Sequence, residues 1–207
     1  MECYAEHVLS GPPSVDEVII RANVSRATFY KYFNSIDEAI EQRAGELVNE
    51  MVDSLRDLVE PQMKPVLLFT VGVHLFLLRS VLDPTWAAFV ARSDLLHVNG
   101  PLFQGVTRHL AASLTERDLS FLDADAAVTL AIGTMREAMR SLAKTSHPTR
   151  KYVEGTTAMI LIGLGCTQER AHSLIREATI FIRGAAPDLL IWWRDPWLVG
   201  TKLARNR

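Results

Sequence analysis

Two capping boxes, Ser14 with Glu17 and Ser35 with Glu38, bracket residues 14–38 and confine that stretch to short helices with defined starts. In such a box a hydroxyl, and a carboxylate three positions on, satisfy the orphan amides of a helix beginning. Between the boxes, Val15, Val18 and Ile19 fall at helical spacing and form the inner stripe of a first helix. Asn23 follows, and asparagine tolerates the left-handed backbone that a sharp helix exit requires. Val24 is expected to plug the turn and Ser25 to cap a second helix, on which Phe29 and Phe33 lie four apart and face inward together. Arg26, Ala27, Tyr30 and Lys31 then point outward, with Thr28 and Tyr32 on the flanks. A solvated surface helix usually carries Glu and Lys. This one carries hydroxyls and bases, donors suited to phosphates and base edges.

The run VSRATFYKYFNSIDEAI resembles the DNA-binding signature of TetR/AcrR-type transcriptional regulators, where a small residue and an aromatic pair follow the turn and a new helix opens directly after Phe. The likeness covers about Ser14 to Ile40; past that point it is architectural, a long, apolar, helical C-terminal part. It implies a homodimer on a double-stranded, pseudo-palindromic DNA operator, with the second short helix in the major groove. It also implies a C-terminal domain that binds a small hydrophobic effector and releases the operator, the behaviour of a repressor. Carried onto this sequence, Arg26 and Ala27 face base edges, while Thr28, Tyr30, Lys31, Ser14 and Tyr32 hold phosphates and Ser25 completes the DNA-binding set.

Three departures from that pattern stand out. Asn23 replaces the usual Gly and meets the same backbone requirement. Ile36 stands where the family often has a Lys near the start of the next helix, which removes one phosphate contact. The chain opens at Met1-Glu2-Cys3-Tyr4-Ala5-Glu6, which reads as only the last turns of the family's first helix, followed by Gly11-Pro12-Pro13. The expectation is that this start lies downstream of the natural one or that the first helix is shortened. The second possibility leaves open another class of protein, a ligand-binding or interaction protein with a degenerate, non-DNA-binding head.

Composition narrows the remaining classes. Hydrophobic residues make up 48% of the 207 positions, enough for a real core and against disorder. The two cysteines, Cys3 and Cys166, have no close partner in the sequence, which argues against a disulfide framework or a cysteine metal site. No charged region followed by an apolar run marks a secretory signal, and the apolar stretches are interrupted short of about 20 residues, so a cytoplasmic, membrane-free protein is expected. The net charge of −2 as a sum opposes a nucleic-acid partner, but Arg21, Arg26 and Lys31 lie between positions 21 and 33 with no acid among them. DNA affinity follows local phosphate neutralisation, which a dimer doubles. Catalysis is not expected: Asp94 with His97 and Glu169 with His172 are single helical pairs, where a metal needs three or four converging ligands. No phosphate loop or nucleophile elbow occurs, and neither metal nor cofactor is expected.

The remainder reads as helices: 35 to about 60, ended by Pro61 and Pro65; 66–82; 85–96; 102–114; 123–144, begun by Asp123; 149–165; and 167 to about 182. The fold class is therefore all-α, with a helix-turn-helix domain over 1–45 and a helical ligand-binding and dimerisation domain over 46–207. On the middle helices Phe69, Val73, Phe76, Trp86, Phe89, Val90, Phe103 and Val106 are expected to line an effector cavity, with His74, Arg92, His109 and Arg136 as its polar candidates. The alternative is that they simply fill a core. Residues 156–166, TTAMILIGLGC, are apolar all round, and Gly155, Gly163 and Gly165 admit close approach of another backbone. With Thr134, Ala138 and Ser141 they suggest a dimer seam formed by the helices at about 123–144 and 149–165; a buried central helix is the other possibility. The segment PDLLIWWRDPWLV lacks the basic face of a membrane anchor and is expected to pack back on the larger domain.

Overall fold

The computed structural model describes residues 13–60, 62–91 and 100–198. Among these residues the chain forms nine helices and no strand. Readings that concern residues before Pro13, Cys3, Arg92, the Asp94–His97 pair and the stretch up to Leu96 lie outside the described residues.

The head is built from α1 (Val15–Ala22), α2 (Arg26–Tyr32) and the start of α3 (Ile36–Leu58). Ser14 closes a full capping box: its Oγ accepts the Glu17 amide, and the Glu17 carboxylate accepts the Ser14 amide. Asn23 ends α1 in the left-handed region at φ 52°, which leaves its amide free to reach the Ile19 and Ile20 carbonyls. Ser25 and Ser35 cap the next two helices through Thr28 and Glu38. The stripe on α1 is less covered than expected, since no residue of that helix is fully buried and Val24 is 40% exposed, so Val24 does not plug the turn among the described residues.

Helix α4 (Pro65–Leu82) is the centre of the larger part, packed by α5 (Pro84–Val90), α6 (Pro101–Thr115), α7 (Ala124–Lys144), α8 (Arg150–Gly163) and α9 (Gln168–Leu189). Pro65, Pro84 and Pro101 each occupy a first turn, where the missing amide costs nothing. By length and composition α4 could cross a bilayer, with a mean hydropathy of 1.9 over its 18 residues. Its side chains are instead turned into the core: Phe69, Val71, Leu75, Phe76 and Leu77 are all buried. A helix apolar on every side is the expected centre of a layered helical core.

Two boundaries differ from the sequence expectation. Helix α5 ends at Val90, and α9 continues to Leu189 through Pro187. Pro187 lies in the last turn and is exposed, so the carbonyl it leaves without a donor can turn to water.

The C-terminal tryptophan segment packs back on the larger part. The Arg79 guanidinium lies between the rings of Trp86 and Trp192, 4.6 and 4.9 Å from their centroids, and burial lowers its pKa. Arg183 Nε meets Asp195 Oδ2 at 2.7 Å and pins the same segment to α9. Gly165 carries φ 84°, and a Cβ there would come within 2.0 Å of the Ser120 carbonyl oxygen. Its close neighbour is therefore this chain's own backbone, which also joins through Ser120 N–H to Leu164 O at 2.9 Å. Gly163 faces Leu130 of α7, whereas Gly155 opens on empty space.

Candidate functional site

Helix α2 turns two rings inward and the rest of its side chains out. Phe29 is buried, with Phe33 against it at 5.5 Å between centroids and Tyr30 edge-on at 5.4 Å. Ser25, Arg26, Ala27, Thr28, Tyr30, Lys31 and Tyr32 are all exposed, as is Ser14 at the start of α1. The rings fix the rotation of a two-turn helix that would not be stable by itself. Outside the two rings, α2 therefore exposes hydroxyls and bases to solvent.

Several of these side chains already have local partners. Ser14 and Ser25 are engaged as caps, and Ser25 Oγ also lies 2.8 Å from Thr28 Oγ1. The Lys31 ammonium stands 5.7 Å from the Tyr32 ring centroid. Arg26 Nη2 donates to Asp16 Oδ1, a bridge between the first turns of α1 and α2 that raises the Arg26 pKa through that hydrogen bond. Asp16 was not singled out from the sequence; its place one residue into the first turn of α1 reads as an ordinary complement to the helix dipole.

A cavity of about 230 Å³ opens between α3, α4, α6 and α7. Its wall takes Val52, Leu55, Arg56 and Val59 from α3, Leu68, Phe69, Gly72, Val73 and Phe76 from α4, and Met135 from α7. The first half of α6 supplies Pro101, Leu102, Gly105, Val106, Arg108 and His109. Of the expected lining, Phe69, Val73, Phe76 and Val106 stand here. Trp86, Phe89 and Val90 do not line this cavity and are buried in the core, Trp86 against Phe76 at 5.9 Å; Phe103, half-buried on α6, is not part of this wall either. Bulk marked those aromatics for interior positions without distinguishing a packed interior from a cavity wall. The lining not expected from the sequence includes half-buried Val52, Leu55 and Val59, whose helical spacing marks an apolar face without telling a cavity wall from a packed core.

The polar candidates part company. His109 lines the cavity; burial and, secondarily, the Arg108 charge lower its pKa. His74 instead sits at a separate junction of α4, α8 and α9, with Nδ1 3.2 Å from Thr157 Oγ1 and Nε2 3.5 Å from Thr179 Oγ1. Burial pushes its pKa down to about 4. Arg136 is half-buried on α7 and does not line the cavity. Among the described residues no group of His, Cys, Asp or Glu could hold a metal ion. Cys166 is buried, and its thiol pKa is raised by burial first.

No family model matches the sequence. No curated protein matches it either. Among solved structures the chain is similar to RolR, crystallised without ligand, at a TM-score of 0.62 and 17% identity over 84% of this chain and 92% of that one. The fold is accordingly TetR-like and all-helical.

Proposed function

We infer that this chain is a DNA-binding transcriptional regulator, a repressor that works as a homodimer and leaves its operator when a small apolar effector enters the cavity. The observation that carries the reading is the rotation of α2: two phenyl rings inward, and Arg26, Ala27, Thr28, Tyr30 and Lys31 all exposed around the rest of the helix. A surface helix evolved only for solubility has no reason to omit acids from 21 to 33. Arg26 and Ala27 are assigned to base edges, with Ser14, Ser25, Thr28, Tyr30, Lys31 and Tyr32 supplying or shaping phosphate contacts.

The effector site is the cavity under α3, because α3 begins directly after the recognition helix and ends in the cavity wall at Val59. A ligand with different affinity for two positions of α3 would shift the head between them. The dimer seam is placed on α7 and α8. Tyr152, Met159 and Ile162 leave an apolar exposed face on α8, with Leu130 on α7; Ile180 of α9 is a further exposed apolar residue. Thr134 and Ser141 are exposed and available, whereas Ala138 is buried in its own core and drops out of the seam.

A mobility-shift assay against DNA flanking the protein's own gene tests the reading. Sequence-selective retardation that fades steeply with salt is expected. A second reading, a ligand-binding protein whose head does not grip DNA, is favoured by one contact: Asp16 neutralises the base placed at the start of α2. Absence of any retardation at low salt selects that second reading.

A further inference from the structure

Among the described residues the cavity wall has three polar side chains, and all three are nitrogen bases: Arg56, Arg108 and His109. No carboxylate, hydroxyl or amide side chain among the described residues lines it. A wall built only to hold a neutral apolar molecule would not gather two guanidiniums and an imidazole, since each loses hydration when a ligand covers it. We propose that the effector is a small organic anion, an apolar body carrying one carboxylate, with its head between Arg108 and His109 and its tail against Phe69, Val73 and Phe76. The inference rests on the effector part of the proposed function and sharpens it to a ligand class.

Size and charge both limit the ligand. An apolar cavity of about 150 Å³ takes benzene, so 230 Å³ holds one substituted ring or a short acyl chain, not a long lipid. Arg56 and Arg108 are exposed and stand at the mouth, while His109 is half-buried one residue further along α6. Arg56 already pairs with Asp53, Nη1 to Oδ1 at 2.6 Å, so its charge is partly answered. Arg108 has no acidic partner among the described residues and is the principal receptor for the head. His109 next to it offers a ring N–H, its pKa lowered by burial first and by the Arg108 charge second. The dipole of α6 adds the same sign where Pro101 and Leu102 meet the wall.

The test compares isosteric pairs on the full chain at fixed pH and ionic strength. Benzoate is titrated against benzyl alcohol, and hexanoate against hexanol, by calorimetry and by thermal shift. The acids should bind about tenfold tighter or better, the scale of a charge-assisted hydrogen bond. In Arg108→Met that preference should fall to within about twofold of the alcohols while the alcohols keep their affinity. Val106→Trp should fill the cavity and remove binding of both, with a melting profile confirming that each variant is folded. Equal affinity for acids and alcohols in the parent chain overturns the anion inference and leaves the cavity reading standing. A preference for acids that survives Arg108→Met also overturns it. No binding of either series by the parent chain overturns both.

Discussion

At the scale of single residues, the Asp16–Arg26 bridge decides how the proposed base-reading arginine is aimed. Both side chains are more than half exposed, so the pair adds little to stability. Its role is orientation. A guanidinium held by one carboxylate keeps its fork at a fixed angle, and a good bidentate contact discriminates between bases by about 1–3 kcal/mol. Asp16→Ala should leave the melting temperature unchanged, raise affinity for random duplex by removing a negative charge, and lower the ratio of operator to random binding about tenfold. Competition mobility shifts read that ratio, and an unchanged value would remove Asp16 from the recognition machinery. Lys31→Ala should behave differently, weakening all sequences alike and reducing the salt slope by about 1. Gly165 is a purely structural position: its left-handed φ and the Ser120 carbonyl exclude any Cβ. Gly165→Ala should cost about 3 kcal/mol, the upper end of single substitutions, in a denaturant melt.

At the scale of elements, the junction of α4, α8 and α9 should make folding sensitive to mild acid. His74 is buried, and its Nδ1 can donate to Thr157 Oγ1 when the ring is neutral. Desolvation is the main cause of its lowered pKa; the Glu154 carboxylate opposes the shift and Arg150 adds to it, with Arg183 and Asp195 lining the same small recess. Above the ordinary histidine pKa of 6.5, folded and unfolded chains are both neutral at this position. Below it the unfolded chain takes a proton that the folded chain refuses until about pH 4. Stability should therefore fall with pH across that window, by up to about 1.4 kcal/mol per unit. His74→Gln should flatten the slope in urea melts between those limits, and an equal slope in both proteins would show that other groups set it. Much of this arrangement is local and so legible in the sequence: caps at Ser14, Ser25, Ser35, Asp123, Thr149 and Thr167 place helix starts because they involve neighbours three positions apart. The pairing of His74 with Thr157 and Thr179 spans 83 and 105 positions, and no periodicity announces it. The same distinction explains the cavity. Which face of α3 is apolar is a local fact, but that Val52, Leu55 and Val59 meet the start of α6 across a gap is a tertiary one.

At the scale of the whole molecule, the proposed operator reading needs two heads. The head of one copy carries three bases between positions 21 and 33, too few phosphate contacts for tight binding at physiological salt. A dimer gains by linkage, since the second head binds at the effective concentration set by the first. That requires a seam holding two recognition helices about 34–36 Å apart, one turn of DNA. The exposed face of the second half of α8 fits such a seam: Met159 is 66% exposed and Ile162 lies three positions on, past the charged start at Arg150, Lys151 and Glu154. An apolar face of this kind left in water is a liability for a monomer. Met159→Arg places a charge at its centre without touching the core, because Val153, Thr157, Ile160 and Leu161 hold the buried side of α8. Light scattering should then report a monomer with the parent's melting profile, and operator affinity should drop about 100-fold while binding to a single half-site is kept. If Met159→Arg remains a dimer, the seam lies elsewhere on the surface. If the parent chain is itself monomeric at micromolar concentration, two linked heads cannot be the source of operator affinity, and the head must reach DNA through contacts beyond α2.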